Sequence, residues 1–145
     1  RPPRVDLDLE LRVQALVRQA WDQGLLASAH DSSDGGLAVA LAECSIASGL
    51  GVDGSLPGDG VHPERSLFAE GGARIVVSVR AECMEAWMSL LASDAHAAVP
   101  VTTLGAVADH GRFRLSLGSQ PVLDLAMQTL TECFEQALPR RLGTA

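Results

Sequence analysis

The sequence predicts an α+β fold, a three-layer domain built on a mixed sheet. Three observations carry that expectation. Amphipathic helical stripes alternate with β-rich runs along the chain. The run Ile75-Val76-Val77-Ser78-Val79 is apolar at nearly every position, the pattern of a strand buried on both faces. The segment from Val101 to Leu117 reads as a hairpin with one wet face, which a purely parallel sheet does not contain. At 145 residues and 47% hydrophobic content the chain fits a single domain, 1–145, with a real core and no need of metals or disulfides.

Taken in order, residues 1–7 look like a linker, and a start at Arg1 rather than methionine suggests a domain of something longer. Leu9, Val13, Leu16 and Ala20 then fall on one helical stripe, closed by Gly24. Leu25 to His30 reads as a short strand leading into Asp31-Ser32-Ser33-Asp34-Gly35-Gly36. A helix from about Gly35 to Ser48 carries Leu37, Leu41 and Cys44 on one side and stops at Gly49 or Gly51. Three glycines and two prolines make Val52 to Pro63 a surface loop, followed by a helical turn or two over 64–70.

The 75–79 strand is expected at the centre of the sheet, with helices starting near 9, 35 and 125 packed on it. Met84, Trp87, Met88 and Leu91 form a core-facing stripe of another helix. Val101 to Ala108 turns at Asp109-His110-Gly111 into a partner where Phe113, Leu115 and Leu117 alternate with Arg112, Arg114 and Ser116. The last helix carries Met127, Leu130, Phe134 and Leu138 on one side and is stopped by Pro139.

Composition excludes much chemistry. The net charge is −7, all eleven basic residues are arginine, and lysine and tyrosine are absent. No Schiff base, pyridoxal attachment or P-loop lysine is possible. An acidic chain this poor in aromatics lacks the cationic and stacking groups that hold nucleic acid. No stretch is long and apolar enough to span a bilayer, and no secretory leader opens the chain, so a cytoplasmic location is expected. Cys44, Cys83 and Cys133 form no C-x-x-C pair and read as three buried thiols. His62, His96 and His110 read as loop histidines without a role.

The concentrated signal is His30-Asp31-Ser32-Ser33-Asp34-Gly35-Gly36, placed where a strand ends and a helix starts. Free N–H groups and the positive end of a helix dipole meet there, and glycines let a phosphate approach the backbone. Asp31 and Asp34 would repel that phosphate unless a divalent cation lay between, so a Mg²⁺–nucleotide or Mg²⁺–phosphate site is one reading. The other is an ordinary N-cap at Ser33 or Asp34 followed by a tight turn. His30 and Asp31, adjacent on a strand, should point to opposite faces. Glu70-Gly71-Gly72-Ala73-Arg74 is a second candidate, with Glu70 as an oxygen donor or the whole as a plain turn.

The stretch Ser28 to Glu43, continuing as Ile46-Ala47-Ser48-Gly49-Leu50-Gly51, resembles the C-terminal domain of the phosphoribosylformylglycinamidine synthase family. Within it, the chain is most similar to the last domain of the synthetase subunit of the short, multi-subunit form. Ser66-Leu67-Phe68 with Arg74-Ile75-Val76-Val77-Ser78-Val79 matches the next block, and Ala137-Leu138-Pro139-Arg140 the ending. The resemblance implies an ATP- and Mg²⁺-dependent C–N ligase of purine biosynthesis. ATP activates the amide oxygen of formylglycinamide ribonucleotide, and ammonia from a glutaminase partner displaces phosphate to give the amidine.

It further implies N-terminal domains in the same subunit, a glutaminase subunit and a small accessory subunit as partners, with ATP or ADP and Mg²⁺ as cofactors of the whole. Asp31 matches a magnesium aspartate of the sister repeat, and Glu70, Gly71 and Gly72 match its Glu-Ser-Gln substrate contact. Glycines there remove two side-chain contacts, and Ser32 stands where the family commonly has valine. The expectation is an architectural domain with a pseudo-symmetric nucleotide site at His30, Asp31, Ser33, Asp34, Gly35, Gly36 and Glu70, with Asp31 the metal ligand. It holds no catalytic residue and, isolated, neither amidates nor hydrolyses ATP. A module binding no ligand, or the equivalent domain of aminoimidazole ribonucleotide synthetase, is the alternative.

Overall fold

In the computed structural model the described residues are 5–57 and 62–143. The linker-like residues 1–4 and part of the 52–63 loop therefore lie outside them. Among the described residues helices α1 (Leu7–Asp22), α2 (Gly36–Ser48), α3 (Pro63–Phe68), α4 (Met84–Leu91) and α5 (Met127–Leu142) intersperse with six strands. The strands are β1 (Leu26–Asp31), β2 (Gly51–Leu56), β3 (Ile75–Val79), β4 (Gly105–Ala108), β5 (Arg112–Leu117) and β6 (Gln120–Ala126). The class is α+β, and the larger sheet is mixed. Two units are distinguishable: residues 1–40 with 68–103, and residues 41–67 with 104–145.

In the first unit, α1 starts on Asp6, whose carboxylate accepts from the Leu9 N–H at 3.0 Å. It ends in a Schellman motif: Gly24 has φ +68°, its N–H donates to Trp21 O, and the Leu25 N–H donates to Ala20 O. Val13, Leu16 and Ala20 are buried as their spacing requires. Leu16 and Ala20 form a cluster with Leu25, Leu26, Trp87 and Leu90, against which Val77 and Val79 pack. On α4 the buried face is Trp87 and Leu90. Met84 and Met88 of the expected stripe face solvent.

β3 differs from expectation. Among the described residues it pairs with β1 alone, antiparallel, in a two-stranded sheet, and each of its residues is half-buried. It is neither central nor covered on both faces. Val77 and Val79 do the packing, and the other β-branched residues suit the pleat without being enclosed.

In the second unit the strand order is β4-β2-β5-β6. β2 lies between β4 and β5, antiparallel to the first and parallel to the second, so the expected β4–β5 hairpin does not form. The hairpin is β5–β6, turned at Gly118 with φ +56°. β2 itself occupies the start of what composition marks as a loop. Its glycines serve close approach: a Cβ at Gly51 would overlap the Arg112 carbonyl oxygen, and one at Gly54 would lie 2.7 Å from Leu115 Cδ2. Phe113, Leu115 and Leu56 are the most completely buried large side chains. Helix α5 runs through Pro139 and ends at Gly143, whose N–H donates to Pro139 O. The proline lacks the N–H that would meet the Glu135 carbonyl, but it does not stop the helix.

Candidate functional site

The aspartate–glycine turn sits where the sequence places it, between the end of β1 and the start of α2. Gly35 and Gly36 adopt φ +79° and +71°, which an L-residue resists. A Cβ at Gly36 would lie 2.7 Å from the Phe68 carbonyl carbon. The turn closes by the Gly36 N–H donating to Ser33 O at 3.1 Å. Asp31, Ser33 and Asp34 face solvent, whereas Ser32 is 3% exposed and its hydroxyl has no partner.

His30 and Asp31 are closer than strand alternation suggests. Nδ1 of His30 lies 2.7 Å from the Asp31 carbonyl oxygen and 3.9 Å from its carboxylate. Alternation sets the Cβ directions, but the imidazole bends back along the strand to its neighbour.

Glu70 lies beside the same turn and bonds to it. Its carboxylate accepts from the Gly35 N–H at 3.1 Å, so the chain supplies its own anion to the turn ahead of α2. Behind it, the Ala73 N–H donates to the Glu10 carboxylate, Arg74 donates to Ala69 O, and the Ser32 N–H donates to Arg74 O. Ala73 carries φ 55°, uncommon for a residue with a Cβ. The loop and the turn are one hydrogen-bonded assembly, with α1 as anchor.

Asp31 presents an exposed oxygen, the hard donor Mg²⁺ prefers. Among the described residues no group of three or more His, Cys, Asp or Glu could hold a metal ion.

A polar network that sequence reasoning missed lies in the second unit. Nε2 of His110 donates to Asp53 at 2.8 Å, and its Nδ1 accepts the Arg112 N–H at 3.2 Å, which fixes the tautomer. Arg112 bonds Asp124 at 2.7 Å, and Arg114 reaches Asp124 at 3.4 Å and Asp53 at 3.6 Å. The hydrogen bond from His110 and the nearby Arg114 hold the Asp53 carboxyl below its usual range; Arg112, then Arg114, does the same for Asp124. The alternation of β5 was the available signal, because it puts both arginines on one face. His96 is also no loop bystander: it is 4% exposed and paired with Gln19 at 2.8 Å. The thiols depart from expectation too. Cys133 is exposed, and Cys44 and Cys83 are half-buried. Burial and then Glu43 push the Cys44 thiol up.

Fold and turn together define an α+β domain in which a strand-to-helix turn, between β1 and α2, carries two aspartates and two glycines. The chain belongs to the family of AIR synthase related proteins, C-terminal domain, which matches residues 1–118. It is 90% identical over 145 residues to phosphoribosylformylglycinamidine synthase subunit PurL of Synechococcus sp. (strain WH7803), covering 100% of this chain and 19% of that protein. Against PurL of Synechococcus sp. (strain CC9902) it is 59% identical over 143 residues, covering 99% and 18%. The chain thus spans about a fifth of the length of the curated relatives it matches.

Phosphoribosylformylglycinamidine synthase II of Thermotoga maritima shares the fold, with a TM-score of 0.74 at 18% identity over 89% of this chain and 22% of that one. T. maritima PurL complexed with ATP gives 0.69 at 18% identity, over 83% and 21%.

Proposed function

We propose that this chain is the C-terminal domain of the synthetase subunit of phosphoribosylformylglycinamidine synthase. The whole enzyme is then an ATP-dependent C–N ligase that converts formylglycinamide ribonucleotide to its amidine with ammonia. The observation that carries this is 90% identity over the entire chain to a PurL subunit. T. maritima PurL complexes with ATP, ADP and formylglycinamide ribonucleotide (FGAR) support nucleotide and substrate binding in the whole subunit. The T. maritima PurLQS assembly supports glutaminase and accessory partners beside the N-terminal domains. Among the described residues no helix is long and apolar enough to cross a membrane. The cytoplasmic location follows from the functional reading.

Within that enzyme this domain is architectural and carries the pseudo-symmetric nucleotide site. Asp31 would hold Mg²⁺, whose chemistry is to neutralise phosphate charge. Gly35 and Gly36 let phosphate approach the backbone at α2, with Ser33, Asp34 and His30 around the turn. Glu70 must leave the Gly35 N–H before an anion can take it.

That last contact favours a second reading, a turn that binds nothing and is satisfied internally. Calorimetric titration of the longer subunit with Mg²⁺–ADP separates them. Asp31→Ala should remove one binding event and leave the melting temperature of the 145-residue chain within a degree or so. Unchanged binding with a much lower melting temperature makes the turn a structural cap and sinks the first reading.

A further inference from the structure

Helix α5 carries one apolar stripe: Met127, Leu130, Phe134 and Leu138 recur at helical spacing, and Leu142 continues it. Burial runs out along that stripe. Met127 is 8% exposed and Leu130 half-buried, but Phe134, Leu138 and Leu142 are 62%, 65% and 66% exposed. The polar side of the helix is already satisfied: Gln128 donates to Glu132 at 2.9 Å and Arg140 reaches Glu132 at 3.5 Å. The helix has its apolar face inward at its first turn and open to water over its later turns, up to its end at Gly143. A phenylalanine and two leucines on a stripe that meets only water are the signature of a missing partner.

We propose that Phe134, Leu138 and Leu142 form the surface by which this domain docks onto another part of the same, longer polypeptide. The inference rests on the reading of the chain as part of a larger subunit. About four-fifths of the relatives' length lies outside this chain, so such a partner is covalently at hand. Area decides against a second copy. Three side chains of this size expose about 300–400 Å² in all, so two copies would bury about 600–800 Å², short of the ~1,200 Å² of a stable dimer. Each copy also carries a net charge of −7. A tethered partner has little translational freedom left to lose, so a small apolar dock suffices. Helix α5 also lies beyond the family match, which ends at residue 118, whereas the 90%-identical PurL subunit matches the whole chain including α5.

The test is alkylation by N-ethylmaleimide at Leu138→Cys, on the stripe, and Gln128→Cys, on the exposed polar side, read peptide by peptide by mass spectrometry. In the longer subunit, position 138 should react at least tenfold more slowly than position 128. In the 145-residue chain the two rates should be alike. Hydrogen exchange of residues 134–142 in the unsubstituted proteins gives the same comparison without any variant. Equal rates in the longer subunit overturn the proposal. So does protection in the 145-residue chain that grows with its concentration, which means a second copy. Protection that appears only when a separately expressed partner subunit is added also overturns it. Ammonia-dependent amidation, measured on the same unsubstituted subunit, tests the functional reading separately: an active subunit with an unprotected stripe defeats only the docking.

Discussion

Ser32→Ala should stabilise this chain. Ser32 is 3% exposed, its hydroxyl has no hydrogen-bond partner, and only its main-chain N–H is used, donating to Arg74 O at 2.9 Å. An unmet buried hydroxyl costs about 1–3 kcal/mol, and the gap left by one oxygen is smaller than a methyl group, returning under ~1 kcal/mol of that. The net gain is then about 1 kcal/mol, or about 3–6 °C in melting temperature depending on how much of the chain melts together. Trp21 and Trp87 both lie in the same unit as Ser32, so thermal unfolding followed by tryptophan fluorescence reads the right region. Ser32→Val should act in the same direction if the site has room for the branch. A melting temperature that falls, or does not move, for Ser32→Ala would mean that the hydroxyl is satisfied in solution, and the reasoning from its isolation fails.

Two further outcomes follow from the second unit. Gly51→Ala should cost about 3 kcal/mol or more, since its Cβ would overlap the backbone oxygen of Arg112, which cannot swing away; a loss under ~1 kcal/mol in urea unfolding refutes the close approach. Asp124 has its folded pKa lowered from 3.8, so its ion pairs stabilise fully above that value and the benefit disappears as pH falls through the folded pKa. Asp124→Asn should therefore melt lower at neutral pH and show a shallower decline in melting temperature below about pH 4; parallel pH profiles for the two proteins would contradict it.

What the sequence made legible follows from which interactions are local. The α1 stripe, its Gly24 end, the strand running into Asp31 and the helix after Gly36 all rest on spacing within a few residues, and all are found. Pairing is not local. Arg112 to Leu117 alternates as a strand whether its neighbour is β4 or β2, and alternation carries no information on which. Gly51 and Gly54 read as loop punctuation, because glycine's use in letting a strand backbone close on Arg112 appears only once Arg112 is beside it. β3 shows the converse: a β-branched run specifies a strand, but coverage of its faces depends on what else is packed there. For the turn, its place between strand and helix was legible and its hydrogen-bond partner was not. That Glu70 reaches Gly35 is a contact across 35 positions.

The neighbouring brace from Glu10 bears on the glycine at 72, where the sister repeat of the family is expected to carry glutamine. A Cβ at Gly72 would lie 2.5 Å from Glu10 Oε1, so any side chain there would push away the carboxylate that binds the Ala73 N–H. Glycine at 72 leaves room for the Glu10 carboxylate, and a side chain at that position requires Glu10 to shift. The Ala73 conformation at φ 55° is held from one side by Glu10, and Glu70 holds Gly35 from the other. The loop is thus tied to α1 through Glu10 and to the turn through Glu70, so its conformation is set by contacts within this chain.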